Sequence, residues 1–161
     1  MGAIKAVFDV MKKLALKLVE DGEGARKVVE IRVEGARSLA AAKKVTSSIA
    51  SSQLVKSAFF GEDPNFGRIM AVIGYAGVPI NCATVDVSFN GVTVVKRGVG
   101  MPLKEREAAR VLRRPSFQVK VRLGQGKQAT PSARRIYLTN TCASIQLIAR
   151  EMAWPKLYAC Q

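Results

Sequence analysis

The 161-residue chain contains no histidine and only three cysteines, Cys82, Cys142 and Cys160. Without an imidazole, the sequence excludes His-ligated metals, Ser-His-Asp and Cys-His triads and any histidine base. The cysteines are odd in number and form no C-x-x-C pair, which predicts neither a disulfide framework nor a zinc site. Free thiols suit a reducing compartment, so we expect a cytoplasmic protein that uses no metal and no cofactor.

Long apolar runs are also absent. The longest apolar stretch, residues 69–80, covers 12 positions and is interrupted by Gly74, Gly77 and Pro79. A bilayer-spanning helix needs about 20 apolar residues, so this stretch is too short. Lysines at positions 12, 13 and 17 interrupt the N-terminal segment, which therefore does not resemble a signal peptide. We expect a soluble chain that does not engage a membrane.

Acidic residues are scarce, since 12 Asp and Glu stand against 26 Lys and Arg, for a net charge of +14. Residues 1–95 carry a net +3 and residues 96–161 a net +11. This imbalance fits a nucleic-acid-binding domain, a basic non-catalytic assembly module or a merely solvated surface. Phe117 is the only aromatic residue near the basic helix predicted below, and stacking of bases needs several aromatic residues. Nucleic-acid binding is therefore disfavoured.

The apolar periodicity predicts alternating helices and strands. Helices are expected over about residues 4–20, from an N-cap at Ser38, and over residues 104–114 before Pro115. Residues 69–76 fit a helix or a buried strand, and strands are expected over residues 29–33 and 117–123. Asn90-Gly91, between alternating apolar residues, predicts a hairpin with a type I′ turn. The order of elements predicts an α+β fold in which mixed or antiparallel sheets are layered with helices.

Two loops carry residues suited to chemistry. In residues 21–27, Glu23 lies between two glycines, which suits a carboxylate that receives an ammonium group, and Lys27 adds opposite charge nearby. A helix C-cap followed by a polar turn explains the same residues structurally. In residues 62–68, Asp63 or Asn65 is suited to cap the next helix, and Arg68 is suited to grip a carboxylate. An internal salt bridge from Arg68 to Asp63 or Glu62 is the structural alternative.

The same two loops carry a family resemblance. Residues 21–33, Asp-Gly-Glu-Gly-Ala-Arg-Lys followed by a strand, and residues 56–69, Lys-Ser-Ala-Phe-Phe-Gly-Glu-Asp-Pro-Asn-Phe-Gly-Arg-Ile, resemble the β chain of ornithine acetyltransferase. This family is the bifunctional glutamate N-acetyltransferase of arginine biosynthesis. Residues 94–98 and 107–115 continue the resemblance, which covers about residues 4–126. Two departures are Phe66, where the family more often has Trp, and Arg26, where it usually has Thr.

The resemblance implies an N-acetyltransferase with an N-terminal nucleophile. A precursor cuts itself before a threonine, and this threonine takes acetyl from N-acetylornithine and passes it to glutamate, with its own α-amine as base. The family glutamate that helps to bind substrate corresponds to Glu23, while Lys27, Asp63, Asn65 and Arg68 are possible supporting residues. The family assembles two α and two β chains, and acetyl-CoA is a possible further donor.

The resemblance implies that this sequence corresponds to the interior of a β chain, without the α chain and the first part of the β chain that carries the nucleophilic threonine. Thr84 follows an alanine as the family nucleophile does, but its surroundings do not match the cleavage site, and we interpret it as the approach to a strand. No catalytic residue is therefore assigned in this chain. We expect it to be inactive alone and to need an α chain and the missing β segment as partners.

The chain divides at about residue 126. Residues 1–126 are expected to form the family-like region, either as one unit or as two lobes over about 1–80 and 81–126. Residues 127–161 are expected to form a divergent tail without clean periodicity. The family tail usually contains Glu-Tyr-Val-Arg-Ile-Asn. If residues 138–145 are read from the third base of each codon, the fixed bases allow Asp-Glu-Tyr-Val-Arg-Ile-Asn. The tail is therefore either genuine and divergent or an out-of-frame reading, and in the second case we expect it to be mobile.

Overall fold

The structure is a computed structural model that describes residues 25–126 and 132–139, together with residues 6–7, 10–11, 14 and 17. Six strands form one sheet: β1 (Ala25–Glu34), β2 (Asp86–Phe89), β3 (Val92–Lys96), β4 (Val99–Gly100), β5 (Ser116–Arg122) and β6 (Ser132–Thr139). Residues 25–126 also contain four α-helices, α1 (Leu39–Ser51), α2 (Gln53–Phe60), α3 (Phe66–Gly74) and α4 (Glu105–Leu112). Short 3₁₀ turns cover Cys82–Thr84 and Pro102–Lys104.

The sheet is mixed, with the strand order β4-β3-β2-β5-β1-β6. β1 and β5 run parallel, with Ile31 opposite Val119, and the other neighbouring pairs are antiparallel. The predicted α+β class with mixed strand pairing is therefore confirmed. The sheet takes β1 from the first expected lobe and β2 to β5 from the second; the division of the chain into lobes stays a prediction.

One face of the sheet is buried. In β1, Val29, Ile31 and Val33 are fully buried, whereas Glu30 and Arg32 alternate with them and stay half-buried. Period-two alternation of this kind is what a strand covered on one side requires. α1 packs against β1 and β6, and α4 packs against β2 and β3. The helices thus cover the apolar face and hold the loops of interest at the ends of the strands.

Three phenylalanines anchor α2 to the sheet. The ring of Phe59 meets Phe89 of β2 and Phe117 of β5 edge-on, with ring centroids 6.1 and 5.5 Å apart. Edge-to-face pairs of this kind add about 0.5–1.5 kcal/mol to the stabilisation from burial. The position of α2, and of the loop that follows it, is therefore fixed by the core.

Two local predictions are confirmed. The Ser38 hydroxyl accepts a 3.1 Å hydrogen bond from the backbone N–H of Ala41 at the start of α1. Asn90 and Gly91 both have positive φ angles, 45° and 88°, as a type I′ turn demands, and they join β2 to β3. Side-chain capping and turn chemistry act over a few residues, which is why the sequence predicts them well.

The region after residue 50 differs from the expected pattern. The chain leaves α1 at Ser52, which has extended geometry with ψ 117°, and the Ser52 hydroxyl then caps α2 by accepting from Val55 N–H. α2 is a separate helix that the sequence pattern did not predict. Residues 66–74, for which helix and strand were both open, form the helix α3.

The described residues near the two ends of the chain form a helical segment and the strand β6. The described residues of the expected N-terminal helix are helical, and Val7, Val10, Met11 and Leu14 are all exposed on it. At the other end, residues 132–139 of the expected tail form β6, antiparallel to β1, with Ile136 and Leu138 buried. A strand thus occurs within a stretch whose sequence shows no clean periodicity, and the description of residues 127–161 as a divergent tail stays a prediction. Within the described residues, no helix is long and apolar enough to cross a bilayer.

Candidate functional site

The two signature loops meet through one ion pair. Lys27 lies at the start of β1 and is only 8% exposed. Its ammonium donates to Glu62 Oε1 at 2.8 Å and to the backbone carbonyl of Leu112 at 2.7 Å. The Leu112 carbonyl ends α4, and the last carbonyls of a helix lack partners within the helix. Lys27 therefore joins β1, the loop after α2 and the end of α4.

Glu62, which makes this ion pair, has an unusual backbone conformation. Its φ of 60° is in the left-handed region, which side-chain-bearing residues seldom adopt. The hydrogen bond from Lys27 lowers the pKa of the Glu62 carboxyl, partial loss of solvent opposes this, and the charges of Lys27 and Arg113 lower it further. The Arg113 guanidinium lies 3.7 Å from Glu62 Oε2. The carboxylate is thus kept ionised between two cations.

The remaining residues of the second loop have structural partners. Asn65 caps α3 by accepting from Arg68 N–H at 3.3 Å, as the sequence predicted for Asn65 or Asp63. The Arg68 guanidinium donates to the Leu54 carbonyl and to the Ser57 hydroxyl at 3.2 and 3.1 Å, and lies 3.8 Å from Asp63. These contacts tie α3 to α2 and correspond to the internal salt bridge named as the structural alternative for Arg68.

Glu23, the candidate substrate carboxylate, lies outside the described residues. Lys27, four positions later in the sequence, is described and lies at the start of β1. The sequence predicted that Lys27 adds positive charge near Glu23. In the structure the ammonium of Lys27 is already paired with the Glu62 carboxylate. A role of Lys27, Asp63, Asn65 and Arg68 in supporting a site remains a prediction.

Thr84 has a local structural role. It ends a 3₁₀ turn just before β2, and its hydroxyl donates to the carbonyls of Asn81 and Leu123 at 2.8 and 2.6 Å. These distances describe a hydroxyl that fastens the turn to the end of β5. They agree with the interpretation of Thr84 as the approach to a strand.

Lys56 is a residue that the sequence reasoning passed over as a candidate. It lies in the first turn of α2 and is only 3% exposed. Burial lowers the pKa of its ammonium group. Within the described part of the chain, no hydrogen bond or ion pair involves its side chain. The sequence does not indicate that Lys56 is buried, because lysine in a serine-rich stretch is usually exposed. The burial becomes visible only when the position of α2 is known.

Among the residues that the structure describes, no group of three or more His, Cys, Asp and Glu side chains lies close enough to hold a metal ion. The polar groups brought together are instead cations and carboxylates from different elements. These charges are paired with one another across the elements that they join.

An α+β fold with a mixed sheet, in which Lys27 at the start of β1 is paired with the loop after α2, defines the class of this protein, and comparison with known proteins makes the family specific. The family model described as the ArgJ family matches residues 3–139. The chain belongs to the ArgJ family. The match extends past residue 126, where the sequence resemblance was expected to stop, and includes β6.

Individual relatives agree with this assignment. The chain is 44% identical over 125 residues to the arginine biosynthesis bifunctional protein ArgJ of Bradyrhizobium diazoefficiens, an alignment that covers 77% of the chain and 30% of that relative. It is 48% identical over 119 residues to the protein of the same name from Desulfotalea psychrophila, with 73% and 30% covered. The chain thus spans about 30% of the length of these curated relatives.

A solved structure supports the fold. The crystal structure of the arginine biosynthesis bifunctional protein ArgJ from Bacillus halodurans superimposes with a TM-score of 0.71 at 32% sequence identity. The superposition covers 81% of this chain and 61% of that chain. The arrangement of helices and strands described above is therefore the ArgJ arrangement over most of the chain.

Proposed function

We propose that the chain is part of an ornithine acetyltransferase, the glutamate N-acetyltransferase of arginine biosynthesis, and that it acts in the cytoplasm. The observation that carries the proposal is the family match over residues 3–139, which contains both signature loops. The Lys27–Glu62 ion pair supports it, because these loops form one charged unit. N-acetylornithine and glutamate are the proposed substrates, with acetyl-CoA a possible further donor.

In the proposed reaction, the threonine hydroxyl of a partner segment attacks the acetyl carbonyl of N-acetylornithine. The amide C–N bond breaks, the ornithine amine takes the proton, and an acetyl-threonine ester forms. The amine of glutamate then attacks this ester, which releases the threonine hydroxyl and gives N-acetylglutamate. Glu23 of this chain receives the ammonium group of a substrate, and the chain supplies neither the nucleophile nor its base.

A hetero-oligomer follows from this division of roles. The α chain and the N-terminal part of a β chain are the proposed partners. The exposed apolar side chains of Val7, Val10, Met11 and Leu14 support such an assembly, because an apolar helix face favours contact with another protein surface. A non-catalytic assembly module is the second candidate, and this same observation favours it.

Nucleic-acid binding is less well supported. Arg106 and Arg110 are exposed on α4, which suits attraction to phosphates. Phe117, however, is buried against Phe59 and Phe89, and is not available to stack on a base. Phe117 therefore does not provide the aromatic surface on which the bases of a single strand stack.

Reconstitution tests the proposal. The chain is co-expressed with an α chain and a β N-terminal segment from an ArgJ relative, and the purified complex is assayed for acetyl transfer from N-acetylornithine to glutamate. We expect turnover by the complex and none by the 161-residue chain alone. Complex formation without turnover would favour the assembly module, and turnover by the pure chain would contradict the proposed division of roles.

A further inference from the structure

The outer side of α4 carries a line of exposed arginines. Arg106, Arg110 and Arg114 follow one another at intervals of four residues, so at about 100° per residue they lie on one side of the helix. The backbone N–H of Arg114 donates to the Val111 carbonyl at 3.1 Å, which continues the helical turn through Arg114. The buried residues of α4 lie on the opposite side, against the sheet: Ala108, Val111 and Leu112. The arginines therefore face solvent along a line of about 12 Å.

These three arginines have no carboxylate partner in the described part of the chain. Glu107, which lies between Arg106 and Arg110 in the sequence, is instead bonded to Lys104, with 2.8 Å between Lys104 Nζ and Glu107 Oε2. No hydrogen bond or ion pair among the described residues involves the guanidinium groups of Arg106, Arg110 or Arg114. The line thus presents positive charge that no described carboxylate neutralises.

Leu103 extends this line by one turn with an apolar side chain. It lies in the 3₁₀ turn Pro102–Lys104, directly before α4, and is 97% exposed. Side chains three residues apart in a 3₁₀ turn lie on the same side, which places Leu103 on the side of Arg106. We call Leu103, Arg106, Arg110 and Arg114 the α4 stripe. Protein–protein interfaces are enriched in arginine and depleted in lysine and acidic residues, so arginine beside an exposed apolar side chain is typical of them.

We propose that the α4 stripe binds an acidic amphipathic helix of another protein. A guanidinium group binds a carboxylate through two parallel hydrogen bonds, and the three arginines repeat about every 6 Å along α4. Carboxylates at every fourth position of a partner helix repeat at the same distance. The partner is therefore a helix with Asp or Glu at every fourth position and an apolar residue one turn beyond them, which covers Leu103.

A protein helix fits the stripe better than a nucleic acid does. Phosphates also attract arginine, but a sugar–phosphate backbone leaves Leu103 without an apolar contact. Phe117, the aromatic residue that follows α4 in the sequence, is 3% exposed and cannot stack on a base. The proposal goes beyond acetyl transfer, since this contact needs neither an α chain nor a nucleophile.

The first test measures peptide binding by the full 161-residue chain. The probe is a labelled synthetic helical peptide with glutamate at every fourth position and one leucine a turn beyond, and fluorescence anisotropy gives the dissociation constant. The control probe has lysine in place of glutamate. We expect only the acidic peptide to bind, and to bind more weakly as the salt rises from about 50 mM to about 200 mM, because salt screens exposed charges. No binding of the acidic peptide, or equal binding of the lysine peptide, would overturn the proposal.

Two double variants separate the stripe from the net charge of the chain. Arg106→Gln with Arg110→Gln removes two charges from the stripe, and Arg37→Gln with Lys44→Gln removes two exposed charges elsewhere. We expect the dissociation constant of the acidic peptide to rise about 5- to 30-fold in the first and less than about 2-fold in the second. Both should melt close to the wild-type temperature, since all four positions are exposed. Equal weakening by the two variants would overturn the proposal, because it would show attraction to net charge alone.

Leu103→Ser distinguishes a protein helix from a nucleic acid. Because Leu103 is 97% exposed, the substitution should not alter the fold. We expect it to raise the dissociation constant of the acidic peptide about 3- to 10-fold and to leave that of oligothymidylate unchanged. An unchanged dissociation constant of the peptide would overturn the docked helix. Oligothymidylate that binds more tightly than the peptide, and that loses affinity when Arg106 and Arg110 are replaced, would overturn the proposal in favour of a nucleic acid.

Discussion

The Lys27 ammonium donates to Glu62 Oε1 at 2.8 Å across 35 positions of sequence, and the same ammonium donates to the carbonyl that ends α4. The start of β1 and the loop after α2 are therefore fixed to each other. This pair therefore connects the two segments that carry the family signature.

Lys27→Met should destabilise the chain by about 2 kcal/mol. The change removes two hydrogen bonds from a charged donor, and it leaves the Leu112 carbonyl without that donor. Denaturant unfolding measures the loss. The exposed Lys44→Met serves as a control and should change stability by less than about 0.5 kcal/mol. Equal effects of the two variants would show that the Lys27 pair contributes nothing specific.

The Lys27–Glu62 pair should make the free energy of unfolding depend on pH in the acidic range. The pKa of Glu62 lies below its ordinary value of 4.5 in the folded chain, so the folded state binds this proton more weakly than the unfolded state. The stabilisation is present above the ordinary pKa and is lost as pH falls through the lowered folded pKa. Glu62→Gln should therefore be less stable than wild type at pH 7 and approach it as the pH falls below about 4.

The control for this experiment is Glu105→Gln, which removes one exposed carboxylate from α4. Unfolding curves are recorded for the three proteins between pH 7 and pH 2. A constant difference between wild type and Glu62→Gln across this range would contradict a role for ionised Glu62.

Gly100→Ala should destabilise the chain by about 1–3 kcal/mol, because an added methyl at Gly100 would overlap the ring of Phe66. In the double variant, Phe66→Leu should reduce the loss of stability caused by Gly100→Ala, because a smaller side chain at position 66 leaves room for the added methyl group. Gly74→Ala is the matched control: it lies in α3 with nothing within 4 Å, and should stabilise by about 0.5–1 kcal/mol. Additive effects of Gly100→Ala and Phe66→Leu would contradict the contact.

Glu23→Ala in the reconstituted complex should lower kcat/KM about 10- to 100-fold, because a charge-assisted contact to substrate is lost. The same change should cost only about 0.5 kcal/mol of stability in a turn. Kinetics and thermal melting are measured on the same preparation, with Glu105→Ala as the control. An unchanged kcat/KM beside a large drop in melting temperature would show that Glu23 is structural.

The nucleotide sequence tests the origin of residues 128–161. If the tail is read out of frame, the third-base frame across codons 138–145 spells Asp-Glu-Tyr-Val-Arg-Ile-Asn, and we expect proteases to cut the tail before residues 28–126. The pairing of β6 with β1 opposes early cleavage within residues 132–139. Third bases that fail to spell the heptapeptide would refute the frame hypothesis, and protection equal to that of residues 28–126 would refute the expected mobility.

The sequence by itself determined the features that depend on neighbouring residues. The cap at Ser38, the Asn90-Gly91 turn, the alternation in β1 and the two signature loops are all readable from short segments, and the loops carry the family. Tertiary structure decided what depends on contacts between distant segments. β6 alternates visibly only when paired with β1, and α2 is separated from α1 by the Ser52 cap. The partner of Lys27 is 35 residues away, and the burial of Lys56 follows from the packing of α2. Charge and spacing along a chain identify which side chains can ionise, but only the folded surroundings decide how far each charge is buried and which partner it meets.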